Sequence, residues 1–199
     1  MKESERCRGT GRQWRTLARK QVYSDPWIRV RVDQVTRPDG SRGTYSVVQL
    51  KGGIGVVALT EDERICLVGQ YRYAPNIYSW EIPKGAFPSF DRTEAPVETA
   101  KRELGEETGI SAALWQQLAT VHTLMGSSDD TVQLFIAQKL TIGQAHREAT
   151  EDIEVQYVSL ARFEDMVAQG QVTDATSIAA VYMADRCLEE SRGRGLRES

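Results

Sequence analysis

The stretch that most constrains this chain is residues 94–110, Glu-Ala-Pro-Val-Glu-Thr-Ala-Lys-Arg-Glu-Leu-Gly-Glu-Glu-Thr-Gly-Ile. Ala95, Val97, Ala100 and Leu104 recur on one side, which predicts a helix over Glu94–Thr108, and Gly109 stands where a helix is stopped. Glu103, Glu106 and Glu107 then fall at i, i+3 and i+4, so three carboxylates share one helical face. Like charges at that spacing repel. Arg102 can neutralise part of the repulsion but cannot offset three carboxylates. The macrodipole makes the placement worse, because the glutamates lie in the C-terminal half, where negative charge is disfavoured.

A bare Glu-x-x-Glu-Glu is usually a solvated acidic face. Here the cost of the placement and the framing by Gly85, Glu94 and Gly109 favour a metal site instead. Clustered hard oxygen ligands suit Mg²⁺ or Mn²⁺, which take carboxylates, water and phosphate oxygens. Such an ion polarises a phosphate and lowers the pKa of a bound water.

These residues resemble the signature of the Nudix hydrolases: Gly, five residues, Glu, seven residues, then Arg-Glu-apolar-x-Glu-Glu-x-Gly-apolar. Arg102, Glu103, Leu104, Glu106, Glu107, Gly109 and Ile110 match the second half, and seven residues separate Glu94 from Arg102. The first half departs, with eight residues rather than five between Gly85 and Glu94, so Ala86–Thr93 carries a three-residue insertion. The resemblance implies that Glu103, Glu106 and Glu107 ligate metal, joined by the Lys84 backbone carbonyl and by Glu151. It implies catalytic roles for Glu106 and Glu107, and structural roles for Gly85, Glu94, Arg102 and Gly109.

Four further segments resemble the ADP-ribose/ADP-sugar pyrophosphatase branch: Pro38-Asp39-Gly40, Gln70-Tyr71-Arg72-Tyr73, Trp80-Glu81-Ile82-Pro83-Lys84-Gly85 and Glu151-Asp152-Ile153-Glu154-Val155. That branch implies Mg²⁺-dependent cleavage of a nucleoside diphosphate sugar into a nucleoside monophosphate and a sugar phosphate. It also implies a homodimer formed through the N-terminal sheet. Arg72 is the candidate grip on the diphosphate, since a guanidinium bridges two phosphate oxygens; a surface strand arginine is the plain alternative. Glu81 is a candidate for contacting substrate or orienting Arg72. Trp27, Tyr71, Tyr73 and Trp80 could stack on a base, although aromatics at strand positions usually pack.

Met125-Gly126-Ser127-Ser128-Asp129-Asp130 is either a polar turn or the loop that carries a general base. Relatives place a glutamate four residues after the glycine, and Asp130 stands there, one methylene shorter. Asp129 and Glu151 are the alternative bases. His122 and His146 are too few and too far apart for a metal site.

The expected fold is α+β of the α/β/α Nudix type, a mixed sheet flanked by helices with a small N-terminal antiparallel sheet. Residues 1–12 read as a disordered tail, 13–50 as the N-terminal sheet, 51–188 as the hydrolase domain and 189–199 as a charged, mobile tail. Expected strands are Trp27–Val32, Thr44–Leu50, Gly53–Leu59, Arg64–Val68, Leu114–Val121, Thr131–Gln138 and Ile153–Val158. Helices are expected over Leu160–Ala168 and from Asp174, a candidate N-cap, to Cys187.

The net charge of −3 argues against a nucleic-acid scaffold. No apolar run reaches membrane-spanning length and no secretory leader is visible, so a cytoplasmic setting is expected. The scattered Cys7, Cys66 and Cys187 offer neither zinc spacing nor a disulfide framework. Other linkages remain open, among them GDP-mannose, NADH and dinucleoside polyphosphates. So does a catalytically silent ADP-ribose-binding module, although such modules typically lose signature glutamates and this chain keeps all of them.

Overall fold

The structure is a computed structural model that describes residues 13–145 and 152–195. The chain divides into two compact units: residues up to Leu50 together with Leu124–Asp130, and Lys51–Thr123 together with the residues from Thr131 onward.

The first unit is an antiparallel sheet of β1 (Arg15–Ser24), β2 (Ile28–Thr36) and β3 (Arg42–Leu50), in that order. Pro38-Asp39-Gly40 makes the expected β2–β3 turn, closed by the Gly40 N–H donating to the Arg37 carbonyl at 2.9 Å. The strand reading of residues 13–50 named only two strands, and β1 is the addition. Every residue of β1 is exposed, so it carries no apolar/polar alternation to read, and pairing with β2 alone defines it. Leu124–Asp130 lies along β3. The Val48 N–H donates to the Ser127 carbonyl at 2.8 Å, and Ser128 Oγ donates to the Val48 carbonyl at 2.8 Å. Arg31 Nη1 and Gln49 Nε2 both donate to Asp129 Oδ2, at 3.0 and 3.1 Å.

The second unit holds two sheets. One runs β10 (Glu154–Val158), β5 (Ile65–Arg72), β6 (Ile77–Glu81), all antiparallel. The other runs β7 (Lys84–Ala86), β4 (Gly53–Ala58), β9 (Thr131–Ile142), β8 (Ile110–His122), with β4 and β9 parallel and the remaining pairs antiparallel. The helices are α1 (Pro96–Thr108), α2 (Leu160–Ala168) and α3 (Ala175–Gly195).

β4 is buried at every position because helices cover both of its faces. Ile54, Val56 and Ala58 pack with Ala100 and Leu104 of α1. Val57 packs with Phe163 and Met166 of α2 and with Ala180, Val181 and Ala184 of α3. Such a strand reads as a continuous apolar run rather than as an alternation. The result is the expected α/β/α layering of a mixed sheet. Cys66 sits in the α1-side core, where burial, with the Glu107 charge behind it, pushes its thiol up to about 12.

Several boundaries differ from the sequence reading, and β2 and β5 also run on, to Thr36 and Arg72. α1 begins at Pro96 rather than Glu94, because a residue before proline avoids the helical region; Ala95 is extended, with ψ of 132°. β8 and β9 both extend beyond the expected limits, since each completes the other's ladder from Ile110↔Ile142 to His122↔Thr131. α3 runs past Cys187 to Gly195, held by Leu188 against the core and by an Arg192–Glu63 ion pair. Among the described residues, no helix is long and apolar enough to cross a membrane.

Candidate active site

α1 is seated by its apolar stripe and closed by Gly109, whose φ of 73° lies in the left-handed region and whose N–H donates to the Gly105 carbonyl at 2.9 Å. That seating turns the acidic face toward β7. Glu107 is 5% exposed and accepts the Lys84 N–H at 3.2 Å. The Glu103 carboxylate fills the space beside Gly85, where a side-chain Cβ would overlap it. Arg102 gathers the rest of the signature: Nη1 is 2.9 Å from both Glu103 and Glu106, and Nη2 is 3.7 Å from Glu94. Burial would weaken the hold of Arg102 on its proton, but Glu103 and Glu106 raise its pKa. Glu94, outside the helix, accepts from Thr99 Oγ1 at 2.6 Å and so braces the first turn.

The insertion-bearing loop is tied down by Arg92. Its Nε donates to the Lys51 carbonyl and its Nη1 to Thr131 Oγ1, each at 2.8 Å. The extra residues thus reach back to the starts of β4 and β9.

Lys84 joins α1 to a second group. Its Nζ lies 2.9 Å from Glu81 Oε2, while its own N–H faces Glu107. The Glu81 side chain is 4% exposed and holds Arg72 through two bonds, Nε to Oε1 at 3.0 Å and Nη2 to Oε2 at 2.6 Å. This is a bidentate guanidinium–carboxylate pair. Burial would raise the Glu81 carboxyl pKa, but Arg72 and Lys84 carry it below the ordinary range. Tyr71 and Tyr73, on either side of Arg72, are exposed, and Trp80 packs edge-on against Tyr78 at 5.9 Å.

Trp27, 71% exposed, and Asp130, 6% exposed, both belong to the unit that holds the N-terminal sheet. The Asp130 N–H donates to Ser128 Oγ at 3.1 Å. His122 is exposed at the end of β8. Glu151 and His146 lie outside the described residues. Two residues gain a part that the sequence does not announce: Asp174, expected only as an N-cap, and Ser177. Asp174 does cap α3 as expected, its Oδ2 accepting the Ser177 N–H at 2.9 Å, but Oδ1 also meets Lys84 Nζ at 2.8 Å. Only the capping position gave a sequence signal.

Among the described residues, no three carboxylate, imidazole or thiol groups converge into a ready-made metal cage. The donor set nevertheless suits a hard divalent cation. Three carboxylates crowd the negative end of α1 against one arginine, and the Gly85 cradle leaves room at Glu103 that any side chain would fill. Mg²⁺ keeps several waters and takes only one or two carboxylates plus substrate oxygens, so a full protein cage is not required.

Comparison with known proteins agrees. The profile for the nucleoside diphosphate sugar hydrolase N-terminal domain matches residues 14–48, and that for the NUDIX domain matches residues 49–180. An ADP-ribose pyrophosphatase of Bacillus subtilis (strain 168) is 32% identical over 169 residues, 84% of this chain and 90% of that protein. One from Mycobacterium tuberculosis (strain ATCC 25618 / H37Rv) is 32% identical across 83% of this chain and 80% of its own length. A crystal structure of an ADP compounds hydrolase superposes with a TM-score of 0.78 at 19% identity, over 90% of this chain and 96% of that one, which speaks for the fold. Nudix hydrolases generally use a divalent metal. With the complete glutamate helix seated on its glycine cradle and residues 14–180 matched by the two profiles, this chain belongs to the Nudix family, as a pyrophosphohydrolase related to the ADP-ribose pyrophosphatases.

Proposed function

We propose that the chain hydrolyses the diphosphate linkage of a nucleoside diphosphate sugar, ADP-ribose or another ADP-sugar first, with Mg²⁺ as the working ion and Mn²⁺ as a substitute. The observation that carries this reading is Lys84, which faces the acidic helix with its backbone and the Arg72–Glu81 pair with its side chain. One short segment thereby connects a cation site to a group shaped for a diphosphate. The substrate class follows from the pyrophosphatases the chain resembles.

In this reading Glu103, Glu106, Glu107 and the Lys84 carbonyl hold the cation, with Glu151 a further ligand. The bound ion supplies charge neutralisation on the phosphate oxygens and a more acidic water. Arg72 grips the diphosphate in a plane set by Glu81. Asp130 is the general base, with Asp129 and Glu151 as alternates. The base takes a proton as water oxygen bonds to one phosphorus, and the bridging P–O bond breaks. The products are a nucleoside monophosphate and a sugar phosphate. Trp27 offers an exposed ring face for the base. A cytoplasmic setting completes the reading, with Cys66 and Cys187 not joined in a disulfide among the described residues.

The test is a panel of ADP-ribose, other nucleotide sugars, GDP-mannose, NADH and dinucleoside polyphosphates, with Mg²⁺ or Mn²⁺ and products identified by mass. AMP and ribose 5-phosphate from ADP-ribose are expected as the preferred outcome. Tight binding of ADP-ribose without turnover would make the chain a binding module and sink the proposal.

We also propose a homodimer formed through the N-terminal sheet. β1 is exposed throughout and presents Leu17, Val22 and Tyr23, with Trp14 just before it. A three-stranded sheet with an uncovered outer strand is thinly supported on its own, and a second copy would cover it. Light scattering is expected to give twice the chain mass, and Val22→Lys to shift it toward the monomer. A monomer at micromolar concentration would refute the dimer.

A further inference from the structure

The Lys84 ammonium is shared between two carboxylates, Glu81 Oε2 at 2.9 Å and Asp174 Oδ1 at 2.8 Å. Arg72, Glu81, Lys84 and Asp174 thus form one series of alternating charge that joins β5, β6, β7 and the start of α3. Asp174 is itself fixed, because Oδ2 accepts both the Ser177 N–H at 2.9 Å and Ser177 Oγ at 2.6 Å. Ser177 Oγ in turn accepts the Ile82 N–H at 3.0 Å, so α3 is tied to the strand end that leads into β7.

A helix N-cap needs an oxygen and not a charge, and serine or asparagine serves as well as aspartate. The charge of Asp174 therefore answers to Lys84. Without Asp174, the ammonium has Glu81 as its only carboxylate in this series and competes with Arg72 Nη2 for the same oxygen, Oε2. Without Lys84, the Glu81 and Asp174 carboxylates are left with one cation between them, and the Arg72 pair slackens.

We infer that Asp174 is a positioning residue for the hydrolysis: through Lys84 it fixes the Glu81 carboxylate, and with it the plane of the Arg72 guanidinium. This rests on the reading of Arg72 as the diphosphate grip. It also makes the Lys84 side chain a strut rather than a phosphate ligand.

The test uses the full-length protein with Asp174→Ser, which keeps the cap and removes the charge, and Lys84→Met, which keeps the stem and removes the ammonium. Each is expected to raise KM for ADP-ribose about tenfold with kcat within about threefold, and the double variant is expected to be no worse than the worse single. A structural loss would instead lower kcat with thermal stability, or would add in the double. Unchanged KM in both single variants, or additive effects, overturn the inference. The Arg72 Nε–H resonance supplies a readout that needs no substrate. It is expected to move in Asp174→Ser and Lys84→Met as it does in Glu81→Gln, while Tm is held. If the wild type hydrolyses no nucleotide sugar, the functional reading falls and this resonance still decides. A signal unmoved in both variants overturns the strut.

Discussion

Glu107→Gln is expected to lower kcat for nucleotide-sugar hydrolysis about a thousandfold while leaving the protein folded, the scale of losing a charge aimed at the reacting group. The substitution changes little besides charge. Glutamine has the same length, fits a site that is 5% exposed, and keeps an oxygen to accept the Lys84 N–H. In the apo protein the change even relieves strain, because it removes one of three like charges at the negative end of α1. Stability is therefore expected to hold or rise slightly as activity collapses. That opposition separates a functional carboxylate from a structural one, since a structural Glu107 would lose Tm together with rate. The cation needed for half-maximal rate should rise as well. Turnover within threefold of wild type, at wild-type cation dependence, would remove Glu107 from the site.

What could be read in the sequence follows how local the signal is. The acidic helix was legible because its periodicity, its three glutamates and its stop at Gly109 all lie within one element. β4 was legible because a strand covered on both faces is simply apolar. β1 was not, because nothing buries either face and its residues give no period to detect. The extent of α3 is hidden for a related reason. Ser-Arg-Gly-Arg-Gly reads as a tail, yet the Arg192–Glu63 pair and the packing of Leu188 carry the helix on. The start of α1 does carry a local signal, since Pro96 disfavours a helical conformation at Ala95.

The site divides along the same line. Glu103, Glu106, Glu107 and Gly85 come from a contiguous pattern, and the Gly85 cradle for Glu103 survives the lengthened loop that Arg92 pins. The Lys84–Asp174 contact joins residues far apart in the chain, and neither is unusual where it stands. A lysine at a strand start and an aspartate at a helix start each have a sufficient local explanation. Likewise, nothing near Gly126 foretells that Leu124–Asp130 lies on β3, held by Val48 and by Arg31 and Gln49 at Asp129. Pairings of that kind are decided by the tertiary fold, and single-sequence patterns do not carry them.

Gly85→Ala is expected to raise the cation concentration needed for half-maximal rate between about tenfold and a hundredfold, the range seen when support for a metal ligand is disturbed. The backbone is not the obstacle, since Gly85 is not among the glycines with positive φ and alanine can adopt its conformation. Space is the obstacle. The new Cβ would overlap the Glu103 carboxylate. That carboxylate ends a flexible side chain and can swing away at little cost in stability, so Tm should move by no more than a few degrees. The loss is functional, because the carboxylate is displaced from the Lys84–Gly85 edge on which the proposed cation depends. Saturating Mg²⁺ should recover much of kcat. The cause can be isolated in a Glu103→Gln background, where the carboxylate is already absent and Gly85→Ala should add little to the cation requirement. An unchanged cation dependence in the single variant, or a full additional loss in the double, would show that Gly85 does not act through Glu103.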